Sequence, residues 1–248
     1  MNKDNINNLK DSGNIPVHIV IIMDGNGRWA AKNHLDRISG HREGMKSVKS
    51  VLKVSKELGI KYLTLYAFSA QNWNRPKTEV RALMELLKNY LINEKDNLID
   101  ENIKLNAIGR LNLLPEDVFE VLTDCIGSTA ECTGMTLTLA LSYGGREEII
   151  DAVNNIIKSK DEIQEVDEEF FSKHLYTYNL PDPDLLIRTS GELRISNFLL
   201  WQLAYTEIYV TRTLWPDFRR KDLIRAIRNF QNRERRYGLT GEQIKKGH

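Results

Sequence analysis

Only two of the 248 residues are cysteine, Cys125 and Cys132. They show neither zinc-type spacing nor a secretory context, so they read as reduced thiols of a cytosolic protein and exclude a disulfide framework. No apolar run approaches the roughly 18 residues of a membrane-spanning helix. The first fourteen residues, MNKDNINNLKDSGN, also lack the apolar segment of a signal peptide. The chain is therefore expected to be soluble, with residues 1–14 as a flexible tail. A dominant charge is missing too: 35 Lys and Arg face 34 Asp and Glu, which argues against wholesale nucleic-acid binding. The charge is uneven, since nine bases face three acids between Arg212 and Arg236, and a solvated helix face is the plain reading of that segment. There is no internal repeat, low-complexity stretch or dividing linker, so one substantial domain is expected. A Walker-type Gly-Lys-Ser loop is absent as well, which counts against a nucleotide hydrolase.

Among what is present, VHIVIIMDGNGRWAA carries the strongest signal. Apart from His18, Val17 to Ile22 is apolar and β-branched rather than alternating, as in a strand covered on both faces. Asp24 then falls at the strand's carboxyl end. Gly25, Asn26 and Gly27 form a flexible turn into RWAAKNH, where backbone N–H groups at a helix start can face an anion while Arg28 adds charge. A lone Gly-x-Gly is a weak motif, and a plain connector is the competing reading. Asp24 beside an Arg is more informative, because a divalent cation bridging a carboxylate to a phosphate would use both.

The rest alternates. GMKSVKSVLKVSKELGI places Met45, Val48, Leu52 and Leu58 near helical spacing and stops at Gly59; KYLTLYAF follows as a second buried strand, completing a βαβ unit. A long helix from about Val80 carries Leu83, Leu87, Tyr90 and Leu91 as its stripe. IKLNAIG, MTLTLALSY, PDLLIRTS and TEIYV read as further strands. The fold class implied is α/β: one domain with a mostly parallel central sheet wrapped by helices. In such sheets ligands bind beyond the carboxyl ends of the strands. There the sequence places Asp24, then Ser69, Asn72, Trp73 and Arg75, then Arg188, Ser190, Arg194 and Ser196. With Arg28, Arg37 and His41 nearby, this rim has more positive charge than one phosphate needs, so two phosphorylated ligands are expected. AFSAQNWNRPKTEV, ahead of the long helix, reads as a mobile lid.

HIVIIMDGNGRWA, RISGH, LYAFSAQNWNRP, DLLIRTSGELRISNFLLWQLAYTEIYV, LWPDF and NRERRYG, in this order, resemble the cis-prenyltransferases, most closely the bacterial undecaprenyl diphosphate synthases, over residues 15–238. The resemblance implies repeated condensation of isopentenyl diphosphate onto a farnesyl-type allylic diphosphate, giving undecaprenyl diphosphate for the cell-wall lipid carrier. It implies a hydrophobic substrate tunnel, a homodimer and a cytoplasmic protein whose product meets the membrane. Asp24 would hold Mg²⁺ and be the residue most needed for turnover, with Glu207 as a second metal ligand from the partner-side region of the dimer. Gly25, Asn26, Gly27, Arg28, Arg37 and His41 would cradle the allylic diphosphate, Trp29 would border that substrate, and Ser69, Ala70, Gln71, Trp73 and Arg75 would complete its site. Arg188, Arg194, Ile195 and Ser196 would take isopentenyl diphosphate. Asn72 matches the proposed proton acceptor; an amide is a poor base, so a role in relaying or orienting a proton stays open beside it.

The chain lacks the Asp-Asp-x-x-Asp motif of helical trans-prenyltransferases. It also departs from the family pattern, with Ala70 and Gln71 where a Ser or Thr followed by Glu is usual, losing a hydroxyl and a carboxylate. Two other classes compete with this one. A non-catalytic partner subunit would lose site residues, yet Asp24, Arg28, Arg188, Arg194 and Glu207 remain. A nucleic-acid module could use RRKDLIRAIRNFQNRERRYG, but Leu223, Ile227 and Phe230 give that helix an inward face and no aromatic platform, so a surface helix near a membrane is preferred. Residues 239–248 read as a C-terminal tail.

Overall fold

A computed structural model describes residues 4–159 and 165–234. In chain order they form α1 (Asp4–Asp11), β1 (His18–Ile22), α2 (Asn26–Lys32), α3 (Arg37–Leu58), β2 (Tyr62–Ser69), α4 (Lys77–Asp100), β3 (Ile103–Ile108), α5 (Glu116–Ser128), β4 (Met135–Tyr143), α6 (Gly145–Lys158), α7 (Glu168–Ser172), β5 (Leu185–Arg188), β6 (Glu207–Val210) and α8 (Arg220–Gln231). Short 3₁₀ turns lie at Ala70–Asn74, Leu111–Leu113 and Trp215–Asp217.

The six strands make one wholly parallel sheet in the order β3-β4-β2-β1-β5-β6. All five residues of β1 are buried because helices cover both faces, which is why the run shows no alternation. Ile19 and Ile21 join a core with Leu63, Leu65, Leu137 and Leu139 under α3, α4, α5 and α8, whereas Val20 and Ile22 face the opposite layer around Phe198 and Leu199. Burying a residue of this kind contributes about 1.5–3 kcal/mol.

Helix α3 starts earlier than its apolar period suggests. Asp36 caps it by accepting from the Ser39 N–H at 2.8 Å, so Arg37 and His41 ride on its first turns, and it ends where Gly59 takes φ 81°. Helices α5 and α6 were not legible from periodicity. In α6 the exposed Ile150, Val153 and Ile157 blur the contrast with the buried Ala152 and Ile156.

The N-terminal expectation requires correction. Residues 4–11 are helical, and Ile6 and Leu9, three apart on one face, are buried in the main core. The Leu9 carbonyl also accepts from Gln231 Nε2 of α8 at 2.9 Å. The expected C-terminal tail, 239–248, lies outside the described residues, as do 235–238 of NRERRYG.

His18, inside β1, is buried, with Nδ1 2.7 Å from the Pro181 carbonyl oxygen and Nε2 2.8 Å from Thr64 Oγ1. Burial lowers its pKa to about 4, against the smaller raising effects of the Pro181 carbonyl and Asp184. The neutral ring therefore stabilises the fold above about pH 6.5, and that contribution is lost as pH falls through about 4. The thermal midpoint is expected to fall between pH 7 and pH 4.5. In His18→Asn the pH slope should flatten, removing on the order of 2 kcal/mol of acid sensitivity; parallel slopes in calorimetry would contradict this.

Candidate active site

β1 lies between β2 and β5, so successive connections reverse direction there and leave a crevice beyond its carboxyl end. Ile22 is in register with Tyr66 and with Arg188, which brings the exits of all three strands together. Asp24 occupies that crevice. Its Oδ2 lies 3.1 Å from Arg28 Nη2 and 3.0 Å from Arg188 Nη2. Burial pushes the Asp24 carboxyl up, but the Arg188 hydrogen bond and the Arg28 charge outweigh it and hold the group below the ordinary carboxylate range.

The backbone around Asp24 is fixed from three sides. Thr189 Oγ1 donates to its carbonyl at 2.6 Å, the Trp215 N–H donates to the same oxygen at 3.0 Å, and Gly25 takes φ 112°. Trp215, fully buried, in turn donates its Nε1 to the Gly44 carbonyl at 3.0 Å. A Cβ at Gly40 would collide with the Asn26 carbonyl oxygen, so this glycine of α3 lets the start of α2 press against the helix.

The charged rim continues through Arg37 and Arg75, whose Nε and Nη1 both reach Glu79 Oε1 at 3.0 Å. His41 faces the same space. Burial, then the charges of Arg75 and Arg37, lower its pKa to about 4, so the ring is neutral near pH 7. Arg188, only 3% exposed, also donates to the Arg194 carbonyl and, at 2.8 Å, to Ser196 Oγ.

Behind this rim the cavity, about 530 Å³, becomes apolar. Asp24, Gly25, Asn26, Gly27, Arg28, Arg37, His41, Ser69, Asn72, Arg75, Arg188 and Ser196 line its polar end; Met45, Val48, Leu83, Leu87, Tyr90, Leu139 and Leu141 line the rest. Leu83, Leu87 and Tyr90, the stripe of α4, are therefore half-buried cavity wall rather than closed core.

Other expected residues stand elsewhere. Trp29, expected beside substrate, turns away and donates Nε1 to Asp217 Oδ1 at 2.8 Å. Trp73 packs on Phe68 with ring centroids 4.9 Å apart and donates to Ser142 Oγ at 2.9 Å, a buttress behind the wall. Ala70 and Gln71 are not on the cavity lining, and Ile195 packs into the second core. Arg194 is exposed and pairs with Glu192 at 2.5 Å. Glu207 opens β6, in register with Leu185, and so sits at the end of the sheet opposite Asp24, paired with Arg233 at 2.6 Å. The expected lid is a 3₁₀ turn, closed by Asn72 Oδ1 accepting from the Ser69 N–H at 3.1 Å.

Sequence reading missed Glu79, Thr189, Glu192 and Trp215. Each acts by orienting a charged or backbone group; AFSAQNWNRPKTEV contains Glu79, DLLIRTSGELRIS contains Thr189 and Glu192, and LWPDF contains Trp215, but nothing in these segments marks those side chains individually. Among the described residues of the basic segment, Arg219 pairs with Glu43 at 3.1 Å, Arg220 with Glu57 at 2.5 Å and Arg233 with Glu207.

Residues 22–238 match the family model described as "Putative undecaprenyl diphosphate synthase". The chain belongs to the cis-prenyltransferases. It is 51% identical over 232 residues to an isoprenyl transferase of Heliobacterium mobile, covering 92% of this chain and 89% of that one. A Geobacter sulfurreducens isoprenyl transferase is likewise 51% identical over 238 residues, covering 93% and 95%. Among solved structures, lavandulyl diphosphate synthase from Lavandula x intermedia, in complex with dimethylallyl diphosphate, is similar at TM-score 0.87 and 38% identity, covering 90% of this chain and 98% of that one. A probable undecaprenyl diphosphate synthase from Campylobacter jejuni gives 0.77 and 36%, covering 91% and 100%.

In this prenyltransferase, a bound diphosphate adds the negative charge that favours protonated His41, opposing the burial and arginine effects. Binding at pH 6 should therefore take up more protons in the wild type than in His41→Asn. Calorimetric titrations with an allylic diphosphate in two buffers of different ionisation enthalpy measure this, and equal uptake would place His41 outside the diphosphate's field.

Proposed function

We propose that this cis-prenyltransferase extends a farnesyl-type diphosphate to undecaprenyl diphosphate as a Mg²⁺-dependent homodimer at the cytoplasmic face of the membrane. The observation that carries the reading is one cavity whose rim holds four arginines and Asp24 and whose interior is apolar, matching a substrate with a diphosphate head and a hydrocarbon tail.

Arg28, Arg37 and the start of α2 take the allylic diphosphate; Arg188, Ser196 and Arg194 take that of isopentenyl diphosphate. Holding the two heads side by side aligns the alkene with the allylic carbon, and guanidinium groups stabilise the charge that develops as the allylic C–O bond breaks. The apolar wall keeps water from the resulting cation. Because Asn72 Oδ1 already accepts from Ser69, its –NH₂ is the group offered to the cavity, which favours orienting a diphosphate oxygen as the proton's destination over acting as the base. His41 supplies a further donor.

Asp24 fits a metal of the kind bound through a single carboxylate and substrate phosphates: both arginine contacts are to Oδ2, and no cluster of three or more acidic, His or Cys groups exists among the described residues. Mg²⁺ held there would neutralise the leaving diphosphate.

The homodimer is supported by the edge strand β6 and by Ile150, Val153 and Ile157 on α6, which are 56%, 43% and 72% exposed and form one apolar stripe. Glu207 belongs to the region of that edge, consistent with a role across an interface. The membrane association rests on the lipid product, since no helix among the described residues is long and apolar enough to cross a bilayer.

Purified protein with farnesyl diphosphate, labelled isopentenyl diphosphate and Mg²⁺ should give butanol-extractable product of 55 carbons, and chelation should stop incorporation. Asp24→Asn, which keeps an acceptor for Arg188, should lose turnover by about a hundredfold or more. No incorporation with any allylic primer would overturn the reading, and near-normal turnover in Asp24→Asn would overturn the role of the carboxylate.

A further inference from the structure

The two residues that depart from the family pattern leave the lid turn without its usual carboxylate, yet a carboxylate stands beside it. Gln71 Nε2 lies 3.3 Å from Glu147 Oε1, in the first turn of α6. The other oxygen, Glu147 Oε2, accepts from Asn197 Nδ2 at 2.8 Å. Asn197 is held further by its Oδ1 accepting from the Arg146 N–H at 3.0 Å and its carbonyl from the Gly145 N–H at 2.7 Å.

This attachment has a strained target. Ser196, Asn197 and Leu199 have φ of 49°, 61° and 43°, a left-handed region that side-chain-bearing residues rarely adopt and that persists only where surroundings enforce it. The loop presents Ser196 Oγ to Arg188. Gly144 makes room for the attachment, because a Cβ there would collide with both Glu147 Oε2 and Asn197 Nδ2.

We propose that Glu147 is a positioning residue that fastens the lid turn to the Arg194–Asn197 loop, and that Gln71 is the lid residue matched to it. The proposal rests on the prenyltransferase reading only for its kinetic consequence. An ordinary first-turn acid, favoured there by the helix dipole, would show no dependence on Gln71. A fastening carboxylate requires donors on both sides: Gln71 and Asn197 each supply an –NH₂ to one oxygen of Glu147. Glutamate at position 71 would set two carboxylates against each other. Glutamine at 147 would then restore the pairing in reverse, donating to the new lid carboxylate while its own oxygen accepts from Asn197.

The test uses the full chain with Gln71→Glu, Glu147→Gln and the double variant, read by hydrogen exchange of segments 69–75 and 194–199 and by steady-state kinetics. Gln71→Glu should speed exchange of both segments and raise KM for isopentenyl diphosphate about tenfold, the lower range for loss of a hydrogen bond to a charged group. Its thermal midpoint should stay close to wild type. The double variant should return both readouts most of the way toward wild type. Unchanged exchange in Gln71→Glu, or a double variant worse than either single, would overturn the fastening role. Exchange is read without substrate, so loss of the fastening is distinguishable from a failure of the prenyltransferase reading, which would appear as a wild type without incorporation.

Discussion

A buried guanidinium governs this site. Arg188 ends β5 at 3% exposure, and a charge so placed is tolerated only when paired and hydrogen-bonded. Asp24 at the end of β1 supplies the counter-charge to Nη2, while the Arg194 carbonyl and the Ser196 hydroxyl accept from Nη1, and only the buried Nε is left without a partner among the described residues. One side chain thus joins the turn that starts α2 to the loop beyond β5. These are the two halves of the crevice assigned to the two diphosphates. Removing Asp24 would strand the buried Arg188 charge, at about 3–5 kcal/mol for a buried pair, whereas Asp24 without Arg188 would keep Arg28, so position 24 is constrained by folding as well as by chemistry.

The remaining structure arranges what this pair needs. Parallel strands in register bring three exits together, and the reversal of direction at β1 opens the space between them. Trp215 and Thr189 fix the Asp24 backbone, Glu79 holds Arg37 and Arg75 on the rim, and residues of α3 and α4 line the apolar cavity behind. Positive charge above and hydrocarbon below follow from which helix faces meet there. The same division suits a substrate that is ionic at one end and oily along its length.

Strands β1 and β5 were readable because burial on both faces leaves short, mostly apolar runs, and the strand-end rule then brought Asp24, Asn72, Arg75 and Arg188 into one crevice. Side-chain direction was not readable in the same way. Trp29 and Trp73 adjoin site residues in sequence, yet their indoles turn to Asp217 and Ser142. The N-terminal helix was hidden because two apolar residues, Ile6 and Leu9, sit in a strongly polar segment, and α6 because its outward face is as apolar as its inward one. A supporting group such as Glu147 leaves no motif, since its partners Gln71 and Asn197 lie far away in sequence.

The central claim is that the Asp24 carboxylate links metal to the allylic diphosphate at the point where β1 ends. Calorimetric titration of a non-reacting thio-analogue of farnesyl diphosphate, with and without Mg²⁺, into wild type and Asp24→Asn tests it without turnover. The account predicts that Mg²⁺ tightens binding to wild type by about tenfold or more, the scale of one charge-assisted contact, and that this dependence disappears in Asp24→Asn while metal-free affinity changes little. An equal Mg²⁺ dependence in both proteins would contradict it.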